Sequence, residues 1–397
     1  MKNIPFSPPD ITEEEINEVV RVLRSGWITT GPECKKFEEK LREFSNADHS
    51  VCFNSCTAAM EMALRMLGVG EGDEVITTAY TYTSTASVID HVGAKIVLAD
   101  TAPDSFSIDT KSLDRLITPK TKAIIPVYIG GVICDMNDIR RIVESKKGIF
   151  SPNSPLQEAL GRIAIVADSA HGLGAMQNGS HGIELADFTA FSFHAVKNLT
   201  TAEGGALMWK NINGVDNEEL ERLIRVYSLH GQTKDAFSKM QLGAWEYDII
   251  TPGYKCNMPD VLAAIGLKQL ERYDKILNRR HEIIKMYNDA FLPLGLEPLI
   301  HEGKNFRSSG HLYLLRIPGY DCQRRNQLIV KLAERGIATN VHYKPLPILT
   351  AYKNLGFDIK DFPNAYAQFK NEITLPLHTC LSDEDVSRII ESVKELV

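Results

Sequence analysis

Lys197 lies in the stretch Phe191 to Leu207, FSFHAVKNLTTAEGGAL, a lysine set among apolar, hydroxyl and glycine residues. Burying a charged lysine is costly, because desolvation favours the neutral amine and pulls its pKa down from about 10.4. A neutral amine is a nucleophile, and such lysines form Schiff bases with carbonyls, that of pyridoxal 5′-phosphate (PLP) included. Asp168 could supply the other half of that chemistry. It closes the apolar run Ile163 to Ala167, IAIVA, which reads as a buried parallel strand. Open α/β sheets place ligands at the carboxyl ends of such strands. A carboxylate there keeps the pyridine nitrogen of PLP protonated, so that the ring draws electrons. Each residue alone has a plain alternative: a lysine at a loop tip with its ammonium in water, and an aspartate that caps the next helix.

The elements that would position this pair are readable around it. Asp187 to Phe193 and Gly205 to Trp209 have the β-branched and aromatic make-up of strands and flank Lys197. Val51 to Phe53 reads as another strand, followed by Ser55, Cys56, Thr57 and Ala58 and then by Met60, Ala63, Leu64 and Leu67 on one helical face. Such a helix start offers free N–H groups and the positive end of a dipole to a phosphate; Ser55 or Thr57 could equally be a cap. Glu74 to Thr78, Lys95 to Asp100 and Lys122 to Tyr128 continue an alternation of short strands with helices, which predicts a mostly parallel sheet covered on both faces. Upstream, Thr12 and Glu15 form a capping box for a helix carrying Ile16, Val19, Val20 and Leu23. The Pro-, Ser-, Asn- and Gly-bearing segment near 144–161 reads as a surface insertion. From Pro259 a long helical periodicity should bridge two domains, after which HLYLLRI, QLIVKLAERG and IATNVHY read as strand, helix and strand. The expected domains are residues 1–250 and 251–397.

Composition narrows the classes. With 397 residues, 44% hydrophobic and 24% charged, the chain can bury a large core and should divide into two domains. Its net charge of -7, with no basic block, argues against nucleic acid or an anionic membrane as a partner. Seven cysteines, an odd number without C-x-x-C or metal-ligand spacing, read as reduced thiols and give no metal site. MKNIPFSPPD lacks an apolar signal core and no long apolar run follows, so the expectation is a cytoplasmic protein without a membrane span.

DSAHGLGA (Asp168 to Ala175) followed by FSFHAVKNLTTAEGGA resembles the DegT/DnrJ/EryC1/StrS sugar aminotransferase family, of the aspartate aminotransferase superfamily. The similarity runs from GWITTGP to LPLHTCLSDED, nearly the whole chain. It implies an α/β fold: a large PLP-binding domain with a mostly parallel mixed sheet between helices, plus a smaller C-terminal α/β domain. By the same resemblance Lys197 bonds to PLP and then shuttles a proton, while Asp168 pairs with the pyridine nitrogen. Tyr82 stacks on the ring, His171 meets the phenolic oxygen, and Ser55, Cys56, Thr57 and Ser192 hold the phosphate. Cys56 stands where the family has glycine. Lys255 stands where the family commonly carries asparagine, at a position that reaches the phosphate from the other subunit, which implies a homodimer with shared active sites. Thr29, Thr30, His342 and Tyr343 match substrate-side positions. The implied reaction moves an amino group, usually from glutamate, to a nucleotide-linked keto sugar. His194 and the run Thr200, Thr201, Ala202, Glu203, Gly204, Gly205 resemble members acting at C4 of a 4-keto-6-deoxyhexose, Ala202 being the one departure. The alternatives are amination at C3, a PLP-dependent sugar dehydratase, which Lys197 argues against because those members carry histidine there, and a non-enzymatic PLP-fold regulator, in which the Lys197 and Asp168 pair would be needless.

Overall fold

Short runs of valine, isoleucine, alanine and threonine pair into a seven-stranded sheet in the computed structural model, which describes residues 3–234 and 246–397. Its order is His49–Phe53, Gly205–Trp209, Phe188–Ser192, Ala164–Asp168, Thr121–Ile125, Glu74–Thr78 and Lys95–Ala99. Gly205–Trp209 runs antiparallel to both neighbours, and the remaining contacts are parallel. The sheet is thus mixed and mostly parallel, as expected. Ala164 to Asp168 are all buried, which is why this strand reads as a continuous apolar run instead of an alternation. Helices including Cys56–Met66, Thr83–His91 and Met136–Ser145 add their apolar faces to the same cores.

A second, three-stranded sheet follows in the order Glu372–Leu375, Tyr313–Arg316, Glu297–Pro298, all antiparallel. Helices Tyr273–Phe291, Cys322–Glu334 and Asp383–Leu396 share a core with it through Ile283, Tyr287, Leu315, Leu332, Ile373 and Ile389. Ile4, near the start of the chain, is buried in that same core.

Two expectations need correction. IATNVHY is not a strand: Ile337 makes one bridge, to Ile4, and Asn340 makes another, to Thr374. Glu372–Leu375 is the strand that pairs with Tyr313–Arg316, and the backbone N–H of His342 turns to the Glu372 carboxylate instead of a ladder. The periodicity after Pro259 spans two helices, Asp260–Glu271 and Tyr273–Phe291, with Arg272 between them at φ -112 and ψ 11. Arg272 leaves the helical path while its Nε donates to Glu15 at 2.8 Å, which ties the break to the N-terminal helix Glu13–Arg24. The segment near 144–161 lies mostly at the surface, as expected, and is anchored there through two buried residues, Leu156 and Gln157. Ser154 caps a short helix, Pro155–Leu160, and the fully buried Gln157 donates to the carbonyl of Leu67 at 2.8 Å.

Candidate active site

The two strands flanking Lys197 are antiparallel neighbours, with Ser192 opposite Gly205, so the lysine rides on the long connection between them. That connection is held by its own backbone: Thr201 N–H donates to Phe193 O at 2.9 Å, Phe193 N–H to Gly204 O at 2.8 Å, and Lys197 N–H to His194 O at 2.9 Å. Lys197 opens into a cavity of about 350 Å³. Burial pushes its amine down to about 8, against the opposing pull of the Asp168 carboxylate.

Asp168 is the last residue of its strand and lines the same cavity, 4% exposed. Thr85 donates its hydroxyl to one carboxylate oxygen at 2.7 Å and the Ala170 N–H reaches the other at 3.1 Å. Burial raises the carboxyl, and the two hydrogen bonds and Lys197 oppose that rise. A buried carboxylate held in one orientation is a strong partner for a cation placed against it.

The helix Cys56–Met66 aims its first turn at the cavity. Ser55 is its cap, with its hydroxyl accepting from Ala58 N–H at 3.1 Å. The N–H groups of Cys56 and Thr57, which no preceding helical turn can satisfy, therefore stand at the cavity wall. Gly205 packs against this start so closely that a Cβ there would lie 2.4 Å from the Cys56 nitrogen. Burial raises the Cys56 thiol well above its usual value, which makes it a space-filling wall residue and not a nucleophile.

His171 is buried and burial holds its imidazole well below the usual range, with Lys197 and His342 acting in the same direction. Gly130 N–H donates to its Nδ1 at 3.2 Å, and Nε2 meets the Tyr343 hydroxyl at 3.1 Å. In the neutral ring Nε2 then carries the hydrogen. Tyr82 is 60% exposed although it lines the cavity, leaving the ring open to a stacking partner. Its ring centre is 6.0 Å from that of Tyr343.

The cavity thus brings together Lys197, Asp168, His171, Tyr82, Ser55, Cys56, Thr57, Ser192, His342 and Tyr343. Thr29, Thr30 and Lys255 lie outside it. Thr30 donates to Met258 O at 2.5 Å, and the exposed Lys255 reaches Asn257. The segment near 144–161 contributes nothing to the wall. Sequence reasoning missed Thr85 as the orienter of Asp168 and Glu203 as a wall residue, 3.6 Å from His194. The hydroxyl-rich run TYTST around Thr85 was the available signal. Among the described residues, Cys34, Glu38 and Cys52 are close enough to share a metal ion. Glu38 is already held by Arg225 at 2.8 and 3.0 Å, so this is an ion pair beneath the helices.

Residues 9–394 match the model of the DegT/DnrJ/EryC1/StrS aminotransferase family. The chain belongs to that family. It is 40% identical over 400 residues to the spore coat polysaccharide biosynthesis protein SpsC of Bacillus subtilis, covering 99% of this chain and 97% of SpsC. Spr1654 of Streptococcus pneumoniae, described as a sugar aminotransferase, superposes with a TM-score of 0.97 in its PMP form, at 55% identity and 99% coverage of both chains. Its PLP form gives 0.96 at 53% identity, covering 100% of this chain and 98% of that one. PseC of Helicobacter pylori, an aminotransferase involved in pseudoaminic acid biosynthesis, gives 0.87 at 28% identity, covering 100% and 99%. The family is PLP-dependent, and PLP is the cofactor of this chain.

Proposed function

We propose that the chain transfers an amino group from glutamate to a nucleotide-linked keto sugar, at C4 of a 4-keto-6-deoxyhexose. The observation that carries the reading is one cavity holding a lysine amine pushed down to about 8 beside the buried, oriented Asp168. The donor set suits PLP: an amine for its carbonyl, a carboxylate for its ring nitrogen, and free N–H groups at a helix start for its phosphate. Bound PLP supplies an electron sink that acidifies the carbon bearing the amine. Lys197 holds the cofactor through Nζ, and when the amino donor displaces it, the free amine takes and returns the proton at that carbon. Asp168, fixed by Thr85 and the Ala170 N–H, holds its charge against the ring nitrogen. Tyr82 stacks on the ring, His171 faces the phenolic oxygen from beside Tyr343, and Ser55, Cys56, Thr57 and Ser192 bind the phosphate.

Lys255 lies outside the cavity of its own chain and is exposed, which suits a residue that serves a neighbouring subunit. The working unit in this reading is a homodimer with shared sites. Thr29 and Thr30, outside the cavity, and His342 and Tyr343, on its wall, are assigned to the substrate side. A boundary near residue 250 divides the chain into a PLP-binding part and a C-terminal part, and the enzyme acts in the cytoplasm. No helix among the described residues is long and apolar enough to cross a membrane.

C4 rests on the residues around Lys197. The loop fixes where the reacting carbon must come, and a near-attack distance of about 3–3.5 Å cannot suit both C3 and C4 of one bound hexose. The test offers the enzyme glutamate with matched 4-keto and 3-keto nucleotide sugars and locates the new C–N bond by NMR. Amination of the 4-keto compound is expected. Amination confined to the 3-keto compound would overturn the regiochemistry, and amination of neither would overturn the substrate class.

A further inference from the structure

The wall of the cavity leads to a buried carboxyl that the transfer chemistry above leaves unused. Glu372 and Thr374 are both fully buried in the strand Glu372–Leu375, two residues apart and so on one face of it. Thr374 Oγ1 lies 2.5 Å from Glu372 Oε1 and 3.0 Å from Nδ1 of His342. The other oxygen, Glu372 Oε2, accepts the backbone N–H of His342 at 3.1 Å. The imidazole is clamped between Phe6, stacked at 5.5 Å, and Tyr343, edge-on at 4.9 Å. His342 lines the cavity, and its bonded nitrogen is Nδ1, which leaves Nε2 for a ligand.

One hydroxyl hydrogen serves both neighbours of Thr374, so the chain has only two consistent arrangements. With Glu372 ionised, Thr374 donates to Oε1 and accepts from His342 Nδ1–H, and Nε2 is a bare acceptor. With Glu372 protonated, its acid hydrogen sits on Oε1, since Oε2 already faces an N–H. Glu372 then donates to Thr374, Thr374 donates to Nδ1, and Nε2 carries the hydrogen.

We propose that His342, Thr374 and Glu372 form a proton relay that carries one proton between the cavity and a buried carboxyl. On inward passage a proton bonds to Nε2, the Nδ1 proton moves to Oγ1, and the Oγ1 proton moves to Oε1. The ring and hydroxyl end neutral, the carboxylate becomes a carboxylic acid, and no electrons are exchanged. The proposal rests on reading this cavity as the amino-transfer site. There the amino donor arrives as an ammonium and must lose a proton while Lys197 is still engaged with the cofactor.

The surroundings favour the carboxyl as the resting place. Burial and the nearby Lys197 push the His342 imidazolium down to about 4. Burial pushes Glu372 up to about 8, against Thr374, Arg325 and the His342 N–H. Arg325 gives its guanidinium to the carbonyls of Glu372 and Phe369, at 2.7 and 3.0 Å, and not to the carboxylate. Tyr80, bonded to His342 O at 2.9 Å, Tyr343, His171 and His311 are the other titratable groups near this pair.

The test is ¹⁵N NMR of histidine-labelled, PLP-loaded enzyme, with the His342 signals assigned through His342→Gln. Wild type should pass from Nε2–H to Nδ1–H as pH rises through about 8. Both Glu372→Gln and Thr374→Val should abolish that switch, and kcat/KM for the amino donor should fall roughly tenfold or more in each. A single His342 tautomer across that range in wild type, or an unchanged switch in Glu372→Gln, overturns the relay. The wild-type titration needs no variant to fold. Borohydride labelling of Lys197 in the same samples tests the site reading separately, so failure of one does not pass for failure of the other.

Discussion

Lys197 owes its lowered pKa to burial, and Asp168 keeps the value from falling further. The neutral, nucleophilic amine therefore grows as pH rises and is half populated near 8. The rate at which cofactor-free protein captures PLP, followed by absorbance, should climb with pH and level off above about 8. A midpoint near the ordinary lysine value would contradict the burial argument. Ala202, the one departure from the C4-type run, sits at φ 67, a conformation costing an L side chain roughly 1–2 kcal/mol. Ala202→Gly should therefore stabilise the protein by about 1 kcal/mol in urea unfolding; no gain would mean that the loop relaxes around alanine. The sequence named Lys197 and Asp168 because their flanking strands announce themselves. It could not show Thr85 behind Asp168, since a hydroxyl in a hydroxyl-rich turn looks the same whether or not it faces a carboxylate. The exposure of Tyr82 was equally invisible, because residue type alone leaves a tyrosine between buried and exposed.

The sheet strands were legible because buried parallel strands leave continuous apolar runs bounded by turns. The break at Arg272 was not, because hydrophobic periodicity continues across one non-helical residue whose cause is a distant ion pair with Glu15. The strand expected at 337–343 failed for a related reason. Its apolar alternation is real and Asn340 exchanges backbone bonds with Thr374, but the pairing stops there because the N–H and Nδ1 of His342 turn to the side chains of Glu372 and Thr374. Cross-element capping is another such feature. Asp260, 1% exposed, accepts the N–H groups of Gly31, Glu33 and Cys34 at 2.7, 3.2 and 2.9 Å, and so caps the helix Pro32–Ser45 from another helix. Asp260→Ala leaves those donors unsatisfied and should cost about 2–3 kcal/mol. Thermal unfolding reads it, and an unchanged midpoint would remove Asp260 from this role.

At the scale of the whole molecule, the cavity collects residues from the helix start at Cys56, two strand ends, the Lys197 connection and the His342–Tyr343 segment. Lys255 is the assigned phosphate ligand that its own chain does not bring there. If the partner subunit supplies it, mixing Lys197→Ala with an impaired Lys255→Ala variant should restore activity in mixed dimers, one site of which has both lysines. Flat activity after proven subunit exchange would mean each site is built within one chain. The sequence suggested this arrangement only through family resemblance, because a single chain's spacing carries no record of its neighbour. Borohydride reduction of the PLP-loaded enzyme followed by peptide mass mapping tests most directly that Lys197 is the residue through which this chain holds PLP. One reduced PLP adduct per chain is expected, on the peptide containing Lys197; an adduct on any other lysine, or none, would show that Lys197 does not hold the cofactor.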